Sequence, residues 1–134
     1  MWGRNTYGQC GRSPNGNINS QFLFSPYRLT LESMKQFKSV DCGDQHTALV
    51  TPSGDLYTFG DNSEGQLGLG LDYKTFMDKP TLVTGILDRI QTVACGYRHT
   101  LVLTERGTVY GMGTNRRYEL GVSQQPKSLG PLKI

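Results

Sequence analysis

Two Cys-x3-His pairs are the residues in this chain that invite a chemical reading: Cys42 with His46, and Cys95 with His99. Thiolate and imidazole at short spacing are familiar zinc ligands, and the two pairs together would supply four of them. A catalytic reading needs a nucleophile or base that occurs once, and here both histidines recur at a fixed offset, 99 − 46 = 53. No Ser, Cys or acidic residue stands beside them as a singular proton carrier. The acidic pairs Glu32 with Asp41 and Asp61 with Glu64 have no spacing that would bring them together across a cleft. The Gly-x-Gly runs at 68–70 and 111–113 lack the third glycine and the strand-to-helix setting of a dinucleotide cradle. The expectation is a non-enzyme with no cofactor and no metal.

The offset of 53 belongs to a whole segment. Val40 to Gly68, "VDCGDQHTALVTPSGDLYTFGDNSEGQLG", is written again as Val93 to Gly121, "VACGYRHTLVLTERGTVYGMGTNRRYELG", with twelve identities and no gap. A third, partial copy opens the chain, where Trp2 to Gly11, "WGRNTYGQCG", matches Phe59 to Gly68. Repetition at this period marks solenoids, propellers and arrays. Seventeen Gly and six Pro, with many Thr, Val, Tyr and Phe, favour short strands joined by tight turns over helices.

Strands of the right length surround the motif. "HTALVT" and "DLYTFG" are separated by Pro52-Ser53-Gly54, a hairpin-length gap, and Glu105-Arg106-Gly107 repeats it in the second copy. Adding "RLTL" and "SVDC" before the first hairpin, and "TLV" and "TVAC" before the second, gives four antiparallel strands per unit. Radially repeated four-stranded sheets are propeller blades. The fold expected is all-β, a partial β-propeller over 1–134. It comprises the end of one blade at 1–11, blades at 26–68 and 80–121, and the start of another at 131–134. "LESMKQF" at Leu31–Phe37 is too short and uncapped for a stable helix and reads as a connector. Stacked repeats generally need about three units to stand alone, so the chain reads as an arc of a larger ring.

The pattern Cys42-Gly43, His46-Thr47, Leu49, Gly54, Leu56-Tyr57, Gly60, Asn62 and Gly65-Gln66-Leu67-Gly68 resembles the repeat of the regulator of chromosome condensation family. The Gly-His and Trp-Asp dipeptides of WD blades and the double glycine of kelch blades are absent. The resemblance implies a seven-bladed propeller of about 50 residues per blade. Equivalent positions in neighbouring blades would then be rotated by roughly 51° and, at a radius of about 10 Å, lie near 9 Å apart, too far for ligands of one tetrahedral metal. Each His is therefore expected to hydrogen-bond within its blade and each Cys to fill core. Founding members of the family exchange guanine nucleotide on a Ran-type small GTPase, which is the alternative the resemblance offers. No residue here matches the loops and inserted wedge on which that activity depends.

What distinguishes the copies is their loops. "DNSEG" at Asp61–Gly65 is acidic and polar, and its counterpart "TNRRY" at Thr114–Tyr118 is basic and aromatic. Asp61, Asn62, Glu64, Arg116, Arg117 and Tyr118 are the candidate contact residues, since Arg and Tyr are favoured interface anchors. Tyr73 and Phe76 in the connector between the blades join them. The expected function is a protein-binding scaffold within a larger assembly. A formal charge of +3, scattered along the chain, is too small and too dispersed to argue for a nucleic-acid partner, and none is expected. No apolar run approaches a membrane span. Three cysteines cannot all pair, which points to a reducing intracellular compartment.

Overall fold

The computed structural model describes residues 1–13, 21–29, 31, 36–71, 74–123 and 125–134. Among these residues ten β-strands are formed. The first sheet pairs β1 (Gly3–Arg4) with β2 (Phe22–Leu23). The second is β3 (Ser39–Cys42), β4 (His46–Val50), β5 (Leu56–Asp61) and β6 (Phe76–Leu82), in that order. The third is β7 (Ile90–Cys95), β8 (His99–Thr104), β9 (Val109–Thr114) and β10 (Lys127–Lys133), again in chain order. All pairings are antiparallel, so the two four-stranded sheets are simple meanders, as the all-β reading requires.

The grouping of strands differs from the sequence expectation by one strand. The sequence expectation has the segments after Pro26, Pro80 and Pro131 open the next blade. Each instead pairs backwards. Tyr27 exchanges backbone hydrogen bonds with Met1 at 3.0 and 2.7 Å, Leu82 lies opposite Tyr57, and Leu132 opposite Gly111. The four-stranded units therefore run from Ser39 to Leu82 and from Ile90 to Lys133, in place of 26–68 and 80–121. Consecutive antiparallel strands pair locally because a short return costs less chain entropy than a crossing to a new sheet. Pro80 and Pro131 sit where the register slips, between Thr58 and Gly60 on β5 and between Ser128 and Leu132 on β10. At a bulge on an outer strand the missing N–H of proline removes no ladder bond. Thr30 of "RLTL" lies outside the described residues; Arg28 and Leu29 belong to no strand, and Leu31 carries a single bridge.

The core lies between the two large sheets. Ala48, Val50 and Leu56 of the one pack with Ile90, Val93, Val102 and Met112 of the other, and Val83 on the crossing segment closes the cluster. The inter-strand turns behave as the repeated glycines predict, with Gly54 at φ 87° and Gly107 at φ 80°.

Candidate functional site

The Cys-Gly-x-x-His-Thr motif is the joint between sheets. Thr47 Oγ1 donates to the carbonyl of Gln9 at 2.7 Å, and Thr100 Oγ1 donates to that of Gln66 at 2.8 Å. Each threonine thus ties its own sheet to the loop of the preceding copy. The Thr100 hydroxyl, having given its proton away, accepts from His46 Nε2 at 2.9 Å. His46 is buried at 1% exposure, and burial holds its pKa down to about 4 against the opposing pull of Asp61. The ring is neutral and carries its proton on Nε2.

The expectations for these residues are corrected in two respects. His46 bonds across to the next sheet and not within its own. Cys42 is exposed and does not fill the core, whereas Cys95 is partly buried and packs against it, and Cys10 is buried. Burial, with Asp41 nearby, pushes the Cys95 thiol up to about 12. Its backbone N–H donates to Asp41 Oδ2 at 2.7 Å, another tie between sheets. Among the described residues no three His, Cys, Asp or Glu side chains are gathered to hold a metal ion.

The contact loops share one frame. In each copy an asparagine side chain spans the loop: Asn5, Asn62 and Asn115 accept from the backbone N–H of Cys10, Leu67 and Leu120 at 3.0, 3.1 and 2.9 Å. Their amides donate to the carbonyls of Arg12, Lys74 and Val122. Gln9, Gln66 and Glu119 each accept from the backbone N–H two residues earlier. Asp61 and Asn62, expected as contact residues, are spent on this frame. Asp61 is 4% exposed and receives Ser63 Oγ at 2.9 Å and Gln66 Nε2 at 2.7 Å; Asn62 is 8% exposed.

Of the remaining candidates, Arg116, Arg117, Tyr118 and Phe76 face outward, whereas the Glu64 side chain is largely covered at 12% exposure. Glu64 of one loop and Arg116 of the next meet at 3.1 Å, with Lys127 4.0 Å away. Arg117 and Tyr118 are exposed beside them, and Phe76 is partly exposed at the start of β6. Tyr73 lies outside the described residues. The turn between β7 and β8 joins this group: Arg98 O accepts from Thr114 N at 2.9 Å, and Tyr97, 66% exposed, stacks with the Arg98 guanidinium at 5.5 Å. These two residues went unnoticed in the sequence. They stand where the first copy has Asp44 and Gln45, a disagreement between copies of the same kind that singled out the loops.

The chain matches the model described as regulator of chromosome condensation (RCC1) repeat over residues 1–50 and 53–103, and a second model of the same description over 37–66 and 90–119. It is 48% identical over 107 residues to the X-linked retinitis pigmentosa GTPase regulator of Canis lupus familiaris, covering 79% of this chain and 10% of that protein. It is 38% identical over 130 residues to the secretion-regulating guanine nucleotide exchange factor of Mus musculus, covering 94% of this chain and 26% of that one. Among solved structures it is similar to Prp20p from Saccharomyces cerevisiae, studied for its binding properties to Gsp1p and histones. That match has a TM-score of 0.89 at 25% identity, over 99% of this chain and 33% of that one. The chain thus spans from about a tenth to a third of the length of these relatives.

Proposed function

From the premise that this chain belongs to the regulator of chromosome condensation repeat family, we propose that it acts as a non-enzymatic propeller scaffold whose loops hold a protein partner within a larger assembly. The observation that carries this reading is the loop frame. Three copies spend the same asparagine and the same Gln or Glu on holding the backbone, and differ in the residues between them: Thr6 and Tyr7, then Ser63 and Glu64, then Arg116 and Arg117. A fixed frame with a variable exterior is how rigid scaffolds present binding residues. The unpaired thiols Cys10, Cys42 and Cys95 fit a reducing intracellular setting.

A second reading, guanine-nucleotide exchange on a Ran-type small GTPase, is supported by the likeness to the secretion-regulating exchange factor and to Prp20p. Co-purification with a stable multisubunit complex, together with unchanged nucleotide release from a panel of small GTPases, is the outcome expected of the scaffold. Accelerated release from any of them would replace it with the exchange reading.

A further inference from the structure

Each of the three sheets ends in an outer segment with a proline at the same place: Pro26, Pro80 and Pro131. The pairings fix the equivalence, because the next residue lies opposite Met1, Thr58 and Gly111 in turn. The proline is common to all three copies, whereas the residues around it differ: Ser25-Pro26-Tyr27-Arg28, then Lys79-Pro80-Thr81-Leu82, then Gly130-Pro131-Leu132-Lys133. Only the first copy places a hydroxyl directly before the proline and a cationic side chain three residues after that hydroxyl.

Ser25, at a bend, and Arg28 are both exposed, while Tyr27 between them is held in place. Its backbone exchanges hydrogen bonds with Met1, its hydroxyl donates to Cys10 O, and the Arg12 guanidinium lies 5.9 Å from its ring centre. The outward placement of Ser25 and Arg28 does not follow from the first sheet being short. Lys79 and Leu82 hold the same positions on a four-stranded sheet that packs against the Gly8 loop on one side and β7–β10 on the other, and both are exposed there too. The chain has two other Ser/Thr-Pro pairs, and neither is so presented. Ser13 Oγ donates to Asp78 Oδ2 at 2.6 Å, Thr51 is fully buried, and each has a glycine three residues on, Gly16 and Gly54.

We propose that Ser25 is a phosphorylation site for a proline-directed protein kinase that also reads the basic residue at the third place, with ATP as donor. A substrate groove without an acceptor for the N–H that follows the target residue selects proline, which has no N–H to leave unsatisfied. Arg28 then offers its guanidinium to an acidic group of the kinase. In the transfer, Ser25 Oγ bonds to the γ-phosphorus of ATP, the bond from that phosphorus to the β–γ bridging oxygen breaks, ADP leaves, and the hydroxyl proton passes to a base of the kinase. The product carries about −1.5 to −2 charge on the outer edge of the sheet, where the other copies have Lys79 and Gly130. This goes beyond the scaffold reading and holds equally for an exchange factor.

The test is incubation of the folded full-length protein with MgATP and a purified cyclin-dependent kinase, a class that prefers Ser-Pro with a basic residue three places after the serine. Intact mass and peptide mapping read the product, and an isolated peptide of residues 21–31 reports on the motif alone. The protein gains one phosphoryl group, at Ser25, and Ser25→Ala gains none. Arg28→Ala lowers kcat/KM for the kinase by about tenfold, and Arg28→Lys restores most of it. Thermal unfolding of Ser25→Ala at the wild-type temperature shows that the loss is not one of folding; if that variant fails to fold, the Arg28 pair and the mapped site decide. Phosphate on Ser13 or Thr51 with Ser25 bare overturns the proposal, as does modification of the peptide but not of the folded protein, modification of neither, or an Arg28→Ala protein modified as fast as the wild type.

Discussion

His46 Nε2 lies 2.9 Å from Thr100 Oγ1 across the boundary between two sheets, and the same hydroxyl donates onward to Gln66 O at 2.8 Å. One threonine therefore satisfies a buried ring N–H on β4 and a buried carbonyl in the loop that follows β5. Thr100→Val keeps the shape and removes both bonds. It is expected to cost about 2–4 kcal/mol, since two buried polar groups lose their partner at once. Urea unfolding of the two proteins measures the difference, and an isosteric loss below about 1 kcal/mol would show that the relay carries no stability.

The same histidine sets a pH dependence. Its pKa falls from 6.5 in the unfolded chain to about 4 in the folded one, chiefly by desolvation. Below 6.5 the unfolded state takes up a proton that the folded state refuses, so stability is full above 6.5 and declines as pH falls towards 4. The slope is about 1.4 kcal/mol per pH unit and the total about 3 kcal/mol. His46→Gln removes the titration, so unfolding free energies measured from pH 7.5 to 4 should fall less steeply in the variant than in the wild type.

Gly43 and Gly96 exist to make room for the two rings. The three atoms nearest a Cβ on Gly96 would all belong to the His99 ring, whereas one on Gly43 would meet the His46 ring and also Gly96 O at 2.5 Å. Both Gly→Ala changes should destabilise by about 1–3 kcal/mol through overpacking. Rescue separates them. Adding His99→Ala should recover most of the loss in Gly96→Ala, while adding His46→Ala should recover only part of that in Gly43→Ala, because a backbone carbonyl cannot step aside. Double-mutant cycles read this directly.

Much of this architecture was legible in the sequence because the chain repeats itself. The hairpins around Gly54 and Gly107 follow from turn chemistry, and the recurrence of Cys, His and Gly marks them as structure. Strand grouping was not legible: the residues after Pro80 and Pro131 have the same β-prone composition whether they close one sheet or open the next, and only the bulged pairing decides. Nor does a motif state what its side chains bond to. His46 reaches a threonine 54 residues away, which the spacing within one copy cannot foretell. For the same reason Asp61 and Asn62 read as exposed contact residues, although their oxygens hold the loop together from inside.

Tyr118 gives the sharpest contrast between copies. It is the one non-glycine residue at positive φ among the described residues, and it replaces the glycine that Gly8 and Gly65 keep. An L side chain in the left-handed region costs about 1–2 kcal/mol, and an exposed ring regains little of that by burial. Tyr118→Gly is therefore expected to raise stability by about 1 kcal/mol. The reverse exchange is not symmetric. Gly65→Tyr incurs the same backbone cost and in addition forces Ser128 and Leu129 of β10 away from a Cβ that would stand 2.7–2.8 Å from them, so it should destabilise by about 3 kcal/mol or more. Thermal and urea unfolding of the two single variants gives the comparison. A destabilised Tyr118→Gly would mean that the tyrosine ring is held by contacts that its exposure does not show.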